Sequence, residues 1–207
     1  LGFANSVKRG KIGIAAASGS GQQEVAVNIE KFGGGISQAF GTGGRDLSQE
    51  VGGITMLTAL DYLASDPETD LILLLSKPPH PEVEKKILKR AEASQKPVVT
   101  CFLGRPAREA SENIFYTRTL EAAALAAVSI SQGKEPKFKD FTVKNVEDLI
   151  EKAASRLATK EKYIRGLYAG GTLCDEALDI LYSKGINPWS NAGNKEERKI
   201  KDSSKSI

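Results

Sequence analysis

Five consecutive apolar residues, Leu71-Ile72-Leu73-Leu74-Leu75, stand between a breaker at Asp66-Pro67 and another at Pro78-Pro79. A run this short between breakers is a strand, and a strand with no polar side must be covered on both faces. The interior of a parallel sheet provides that cover, because crossover helices lie over both faces. Three further segments read as its neighbours: Lys11-Ile12-Gly13-Ile14-Ala15-Ala16, residues 36–40, and Pro97-Val98-Val99-Thr100-Cys101-Phe102, whose proline is tolerated at a strand start. Between them apolar residues recur at helical spacing, as Val25, Ile29 and Phe32, then Met56, Leu60 and Leu63, then Val83, Ile87, Leu88 and Ala91. Alternating strands and helices predict an α/β fold with a doubly wound parallel sheet over residues 11–133, closed by an alanine-rich helix over 119–131.

A length of 207 residues suits one such domain and part of another. Residues 1–10 read as a linker, and so do the polar residues 134–142 with Pro136. Beyond them Val146, Ile150, Ala153 and Leu157 mark a helix, residues 163–169 a strand, and Leu173, Ala177 and Leu181 a helix ending at Gly185. Residues 143–189 are therefore expected to begin a second, incomplete α/β unit. The apolar-poor residues 190–207 read as a disordered tail. Because the chain starts without Met, it reads as an excerpt of something longer.

Charge narrows the partners. Against 26 acidic residues stand 29 Lys and Arg, and much of the excess lies in Lys195, Arg198, Lys199, Lys201 and Lys205, so no nucleic-acid partner is expected. No apolar run reaches the ~18–20 residues of a membrane span, and the first residues lack a signal peptide's apolar region. A soluble, cytoplasmic protein is the expectation, with no membrane partner. Cys101 and Cys174 fall in different predicted units, which favours reduced thiols, and no metal site is expected.

The chemistry concentrates at the first strand-to-helix turn, Ala17-Ser18-Gly19-Ser20-Gly21-Gln22. A helix start exposes unpaired N–H groups and carries roughly half a positive charge, and glycines let an anion reach the backbone. Ser18, Gly19, Ser20, Gly21 and Gln22 are thus candidate phosphate contacts. A dinucleotide fingerprint fails because Glu24 stands where its third glycine belongs and no acidic residue closes the second strand. Walker A fails at Gly133-Lys134-Glu135. Gly43, Gly44 and Arg45, after the second strand, form a second candidate anion contact, since ligand crevices in such sheets lie at strand carboxyl ends. His80, the single histidine, sits in Pro78-Pro79-His80-Pro81 and is expected to be exposed and unimportant. Gly170-Gly171-Thr172 with Glu176 echoes Ser18-Gly19-Ser20 with Glu24, and joins the candidate anion contacts.

Gly13-Ile14, Ser18-Gly19-Ser20, Gly35-Ile36-Ser37-Gln38, Gly41-Thr42-Gly43-Gly44-Arg45-Asp46, Asp66-Pro67-Glu68-Thr69 and Lys96-Pro97-Val98-Val99 resemble the flavodoxin-like ligase domain of the succinyl-CoA synthetase α subunit. Gly44-Arg45-Asp46-Leu47-Ser48, Ser76-Lys77-Pro78-Pro79 and residues 166–174 are more similar still to the FdrA family of acyl-CoA-synthetase-like proteins. The resemblance implies a flavodoxin-like sheet. It also implies a subunit of an oxamate carbamoyltransferase, acting in purine-ureide breakdown on oxalurate and phosphate to give oxamate and carbamoyl phosphate. Two departures bear on mechanism. The synthetases carry a phosphorylated histidine in a Gly-His-Ala-Gly loop after the fourth strand, whereas residues 113–118 contain none. Those enzymes also hold CoA mainly in an amino-terminal Rossmann-like domain and nucleotide in an ATP-grasp domain, and neither is expected in this chain. No cofactor is therefore expected here, only phosphate or carbamoyl phosphate as ligand, with a small anionic substrate and other subunits or missing domains as partners. An acyl-CoA ligase of the succinate type and a non-catalytic anion-sensing scaffold are the alternatives, and the catalytic residue is unassigned. In the synthetase family two helix starts face one phosphate, and the resemblance implies that residues 18–22 and 170–174 do so here.

Overall fold

A computed structural model of the chain describes residues 6–106, 108–139, 142–158, 163–193 and 195–200. Five strands, β1 (Arg9–Ala16), β2 (Ile36–Gly41), β3 (Leu71–Ser76), β4 (Val98–Phe102) and β5 (Ile114–Thr117), form one sheet in the order β2-β1-β3-β4-β5. Every pairing is parallel, and Ile14, Leu73, Val99 and Phe115 stand in register across four strands. This is the flavodoxin-like order of a doubly wound sheet, as expected.

The sequence analysis places four strands, and β5 is the addition. It is only four residues long, Ile-Phe-Tyr-Thr, and Ile114 alone is fully buried, so it carries neither a continuous apolar run nor a clean alternation. Its place is fixed instead by parallel pairing with β4 from Val98↔Ile114 onward.

Helices α1 (Gly19–Lys31) and α4 (Leu120–Ser131) cover one face of the sheet, while α2 (Ile54–Ser65) and α3 (Pro81–Glu92) cover the other. Successive residues of β3 serve opposite layers. Leu71, Leu73 and Leu75 pack with Val25, Ile29 and Ala123, whereas Ile72 and Leu74 pack with Met56, Leu60 and Ile87. All five apolar residues of β3 are fully buried, each worth ~1.5–3 kcal/mol relative to exposure. The apolar run thus meets the demand that both faces be covered.

The residues expected to begin a second sheet behave differently. Residues 163–168 carry no regular structure, and Tyr163, Ile164 and Leu167 are exposed. They lead instead into α6 (Gly171–Ser183), which packs against α1. Helix α5 (Val146–Arg156) buries none of its residues. Where a disordered tail is expected, the backbone returns on itself: Ser190 N–H donates to Arg198 O at 3.0 Å and Ile200 N–H to Ser190 O at 2.9 Å. Residues 201–207 of that tail, and 1–5 of the expected amino-terminal linker, lie outside the described residues, and Arg9 and Gly10 already belong to β1. Among the described residues no helix is long and apolar enough to cross a membrane.

Candidate functional site

The polypeptide leaves β1 through Ala17 and Ser18 and turns into α1 at Gly19. Ser18 keeps an extended backbone, and its Oγ accepts from Gly21 N–H at 3.0 Å, while its carbonyl accepts from Gln22 N–H at 3.0 Å. That is an ordinary serine cap, and the amides of Gly19 and Ser20 stand ahead of the first intrahelical bond. The first turn of α1 holds no acidic residue, and a Cβ placed on Gly19 would meet nothing within 4 Å. Its positive end is therefore uncompensated and reachable.

The other helices of the sheet satisfy their starts internally. Buried Asp46 accepts Thr55 N–H and Met56 N–H, each at 2.8 Å, and so supplies the start of α2 with its own carboxylate. Helix α3 begins with Pro81 and carries Glu82 and Glu84 in its first turn. At α4, Glu176 accepts Leu120 N–H at 2.6 Å. Helix α6 resembles α1, with no acidic residue in its first turn and no side-chain cap from Gly170.

These two open starts meet. Thr172, 3% exposed, shares a hydrogen bond with Ser18 through their hydroxyls. The approach depends on glycine: a Cβ on Gly21 would lie 2.8 Å from Ser18 Oγ and 2.9 Å from Thr172 Cγ2, and one on Gly170 would lie 2.6 Å from Ser20 Cβ. Three polar contacts fasten α6 in this pose, namely Glu176 to the α4 start, Arg118 to Asp179 at 3.1 Å, and Lys77 Nζ to Asp175 at 2.6 Å. The echo between residues 18–22 and 170–174 is thus a spatial juxtaposition at the carboxyl ends of β1 and β3. Strand order reverses between those two strands, the switch point where open α/β sheets form their ligand crevice.

Beside this junction lies a cavity of about 380 Å³ lined by Ala17, Gly44, Leu47, Ser48, Gln49, Glu50, Ser76, Lys77, Pro78 and His80. Of the second candidate anion contact, Gly44 reaches the cavity, with its Cβ position 3.6 Å from Ala17 O. Gly43 takes a left-handed φ of +79° to make the turn. Arg45 is exposed and lies outside the lining. Gln22 points to β2, its Oε1 3.6 Å from a Cβ placed on Gly41. Glu50 stays an anion on the rim, held below the usual carboxylate range by hydrogen bonds from its own backbone N–H and from Ser48.

His80 departs from expectation. It is half-buried at the α3 start, and its Nδ1 is shielded from solvent with no hydrogen-bond partner among the described residues. The proline-rich loop is not exposed decoration, because His80 N–H donates to Leu47 O at 3.0 Å and draws the loop inward. Ser76, Lys77 and Asp175 were not read from sequence as site residues. A usable signal existed for Ser76, the first polar residue after a fully apolar central strand and hence a carboxyl-end position. Residues 113–118, which lack the synthetase histidine, mostly form β5 at the sheet edge. Cys101 is far from reactive, since burial pushes its thiol up to about 12.

Comparison with known proteins follows the same division of the chain. Residues 7–104 match the family model described as the CoA binding domain. The whole chain is 46% identical over 208 residues to the uncharacterized protein YahF of Escherichia coli (strain K12), spanning 40% of that protein. It is 35% identical over 97 residues to the α subunit of ADP-forming succinate–CoA ligase from Aquifex aeolicus (strain VF5), spanning 47% of this chain and 30% of that subunit. The chain is thus similar over 97 residues to a succinate–CoA ligase α subunit, and it spans two fifths or less of the curated relatives it matches. The family match to a CoA binding domain runs against the expectation that the chain lacks a CoA-holding unit.

Proposed function

We propose, from this similarity to the succinate–CoA ligase α subunit, that the chain is the anion-handling unit of a multi-subunit acyl- or carbamoyl-transferring enzyme, with phosphate held between the starts of α1 and α6. The observation that carries the reading is the Ser18–Thr172 hydrogen bond, which ties together two uncompensated helix starts 154 residues apart in sequence. Each start contributes roughly half a positive charge and free amide donors, so their fields add on one anion. The amides of Gly19 and Ser20 face it from one side, and the Gly170-Gly171 turn faces it from the other. Lys77 pairs with Asp175 at 2.6 Å, so its part is to fasten α6 in place rather than to add net charge to the site.

In the finer, FdrA-like form of the reading, phosphate oxygen attacks the carbamoyl carbon of oxalurate and the carbon–nitrogen bond to oxamate breaks. A proton passes to the departing nitrogen, and oxamate and carbamoyl phosphate leave. Negative charge builds on the carbamoyl oxygen, and preorganised backbone N–H donors stabilise it without a covalent protein intermediate. The lack of histidine in residues 113–118 supports this form over one that passes the phosphoryl group through histidine. The CoA binding domain match supports the alternative, an acyl-CoA ligase subunit, in which a phosphoryl group is carried elsewhere in the assembly.

Phosphate titration followed by backbone-amide NMR tests the shared premise. Binding is expected in the millimolar range, about −4 kcal/mol, with shifts at Gly19 and Ser20. Gly19→Val, whose side chain enters open space, is expected to fold normally and lose those shifts. Shifts that persist in the variant refute the placement. Carbamoyl phosphate formation by the full-length protein with its neighbouring subunits separates the transferase from the ligase, which would instead take label from nucleotide.

A further inference from the structure

We propose that the cavity beside the helix starts is a subsite for a primary carboxamide, gripped between the Ser76 hydroxyl and the His80 imidazole. The reading of a reaction there rests on the proposed function, but the binding itself rests on separate observations. Ser76 ends β3 with no exposed surface, and its Oγ has no hydrogen-bond partner among the described residues. A buried hydroxyl left unpaired is costly, and a protein rarely sustains it without a partner that arrives. His80 Nδ1 also lacks a partner among the described residues, and both residues line the same cavity.

The backbone that carries the His80 side chain is fixed: its N–H donates to Leu47 O at 3.0 Å, its carbonyl accepts Glu84 N–H at 2.9 Å, and prolines flank it on both sides. The chemistry of the lining then selects the ligand. A hydroxyl and an imidazole together offer donor and acceptor capacity, which a carboxamide matches with one carbonyl and two N–H groups. A second carboxylate is poorly matched, because the Lys77 ammonium is already paired with Asp175 at 2.6 Å and the Glu50 carboxylate stands on the rim. Ala17, which also lines the cavity, immediately precedes Ser18, so a carboxamide bound here sits next to the anion held by the helix starts.

The chain has one histidine, so the imidazole signals in a ¹H–¹³C NMR spectrum belong to His80 alone. The 207-residue chain is titrated with oxamate, which pairs a carboxamide with a carboxylate, and in parallel with oxalate, which has no N–H. Oxamate is expected to shift the His80 signals and to bind at least about tenfold more tightly than oxalate. Ser76→Ala removes only an unpaired hydroxyl, so it is expected to fold, to weaken oxamate by about tenfold, and to keep the phosphate shifts at Gly19. Unmoved His80 signals, equal affinity for oxalate, or an unaltered oxamate affinity in Ser76→Ala would each overturn the subsite. A chain that shows no phosphate shifts at Gly19 yet keeps the His80 response to oxamate defeats the anion reading and upholds the subsite.

Discussion

Ser18→Ala removes two interactions at once, and their sum is larger than a helix cap alone. Loss of the cap to Gly21 N–H costs about 1 kcal/mol. The Thr172 hydroxyl, only 3% exposed, then loses the partner it has in Ser18, at about 1–3 kcal/mol for a buried unpaired group. The expected loss is about 2–4 kcal/mol. Thr172→Val is milder at about 1 kcal/mol, because Ser18 still caps α1 and no hydroxyl is left stranded. The double variant therefore costs less than the sum of the two, with a coupling of about 1 kcal/mol or more. Urea denaturation of the four proteins at constant m-value gives these numbers, and hydrogen exchange shows whether α6 amides lose protection first. A Ser18→Ala loss of about 1 kcal/mol or less, with the two changes additive within about 0.5 kcal/mol, would show that the helix starts are not joined and would remove the basis of the shared anion site.

Asp46→Ala leaves the amides of Thr55 and Met56 without their acceptor and is expected to cost about 2–4 kcal/mol in urea, with Asp46→Asn recovering part of it. Cys101 is expected to resist a thiol reagent in the folded chain at about pH 8 and to react once urea unfolds it, since burial raises its thiol to about 12. The Thr69 hydroxyl, and then the Glu68 N–H, hold Asp66 below its ordinary value of 3.8, so its contribution to stability is full above that value and fades as pH falls through the lowered one. Asp66→Asn is accordingly expected to be less stable than the parent near pH 6 and to match it near pH 2, as read by denaturation at both pH values.

The elements legible in the sequence are those whose side chains have a single environment. Leu71 to Leu75 lie wholly in the core, and Met56, Leu60 and Leu63 or Val83, Ile87 and Ala91 each form one buried helix stripe, so periodicity located them. Strand β5 escaped because an edge position asks little of its side chains, and only Ile114 is fully buried. Tyr163, Ile164 and Leu167 mislead in the opposite sense: their composition suits a strand, but they stay exposed and the chain uses this stretch to reach α6. At the site, the glycine turns were readable because close backbone approach leaves a residue-type signature. Ser76 and His80 were not, since their meaning depends on which atoms are left without partners after the chain has closed around them.

The link between Ser18 and Thr172 spans 154 residues and has a consequence for how the protein comes into being. During synthesis at ~5–20 residues per second, Ser18 emerges roughly 8–30 seconds before Thr172 does. All five strands and their covering helices precede α6 in the chain, so the sheet can close while the ribosome is still making the second helix start. Through that interval the nascent chain presents α1 with its cap made and its neighbour missing. The two helix starts are therefore brought together only after the sheet is complete, and a polypeptide cut short before Gly171 would carry the sheet without that pairing.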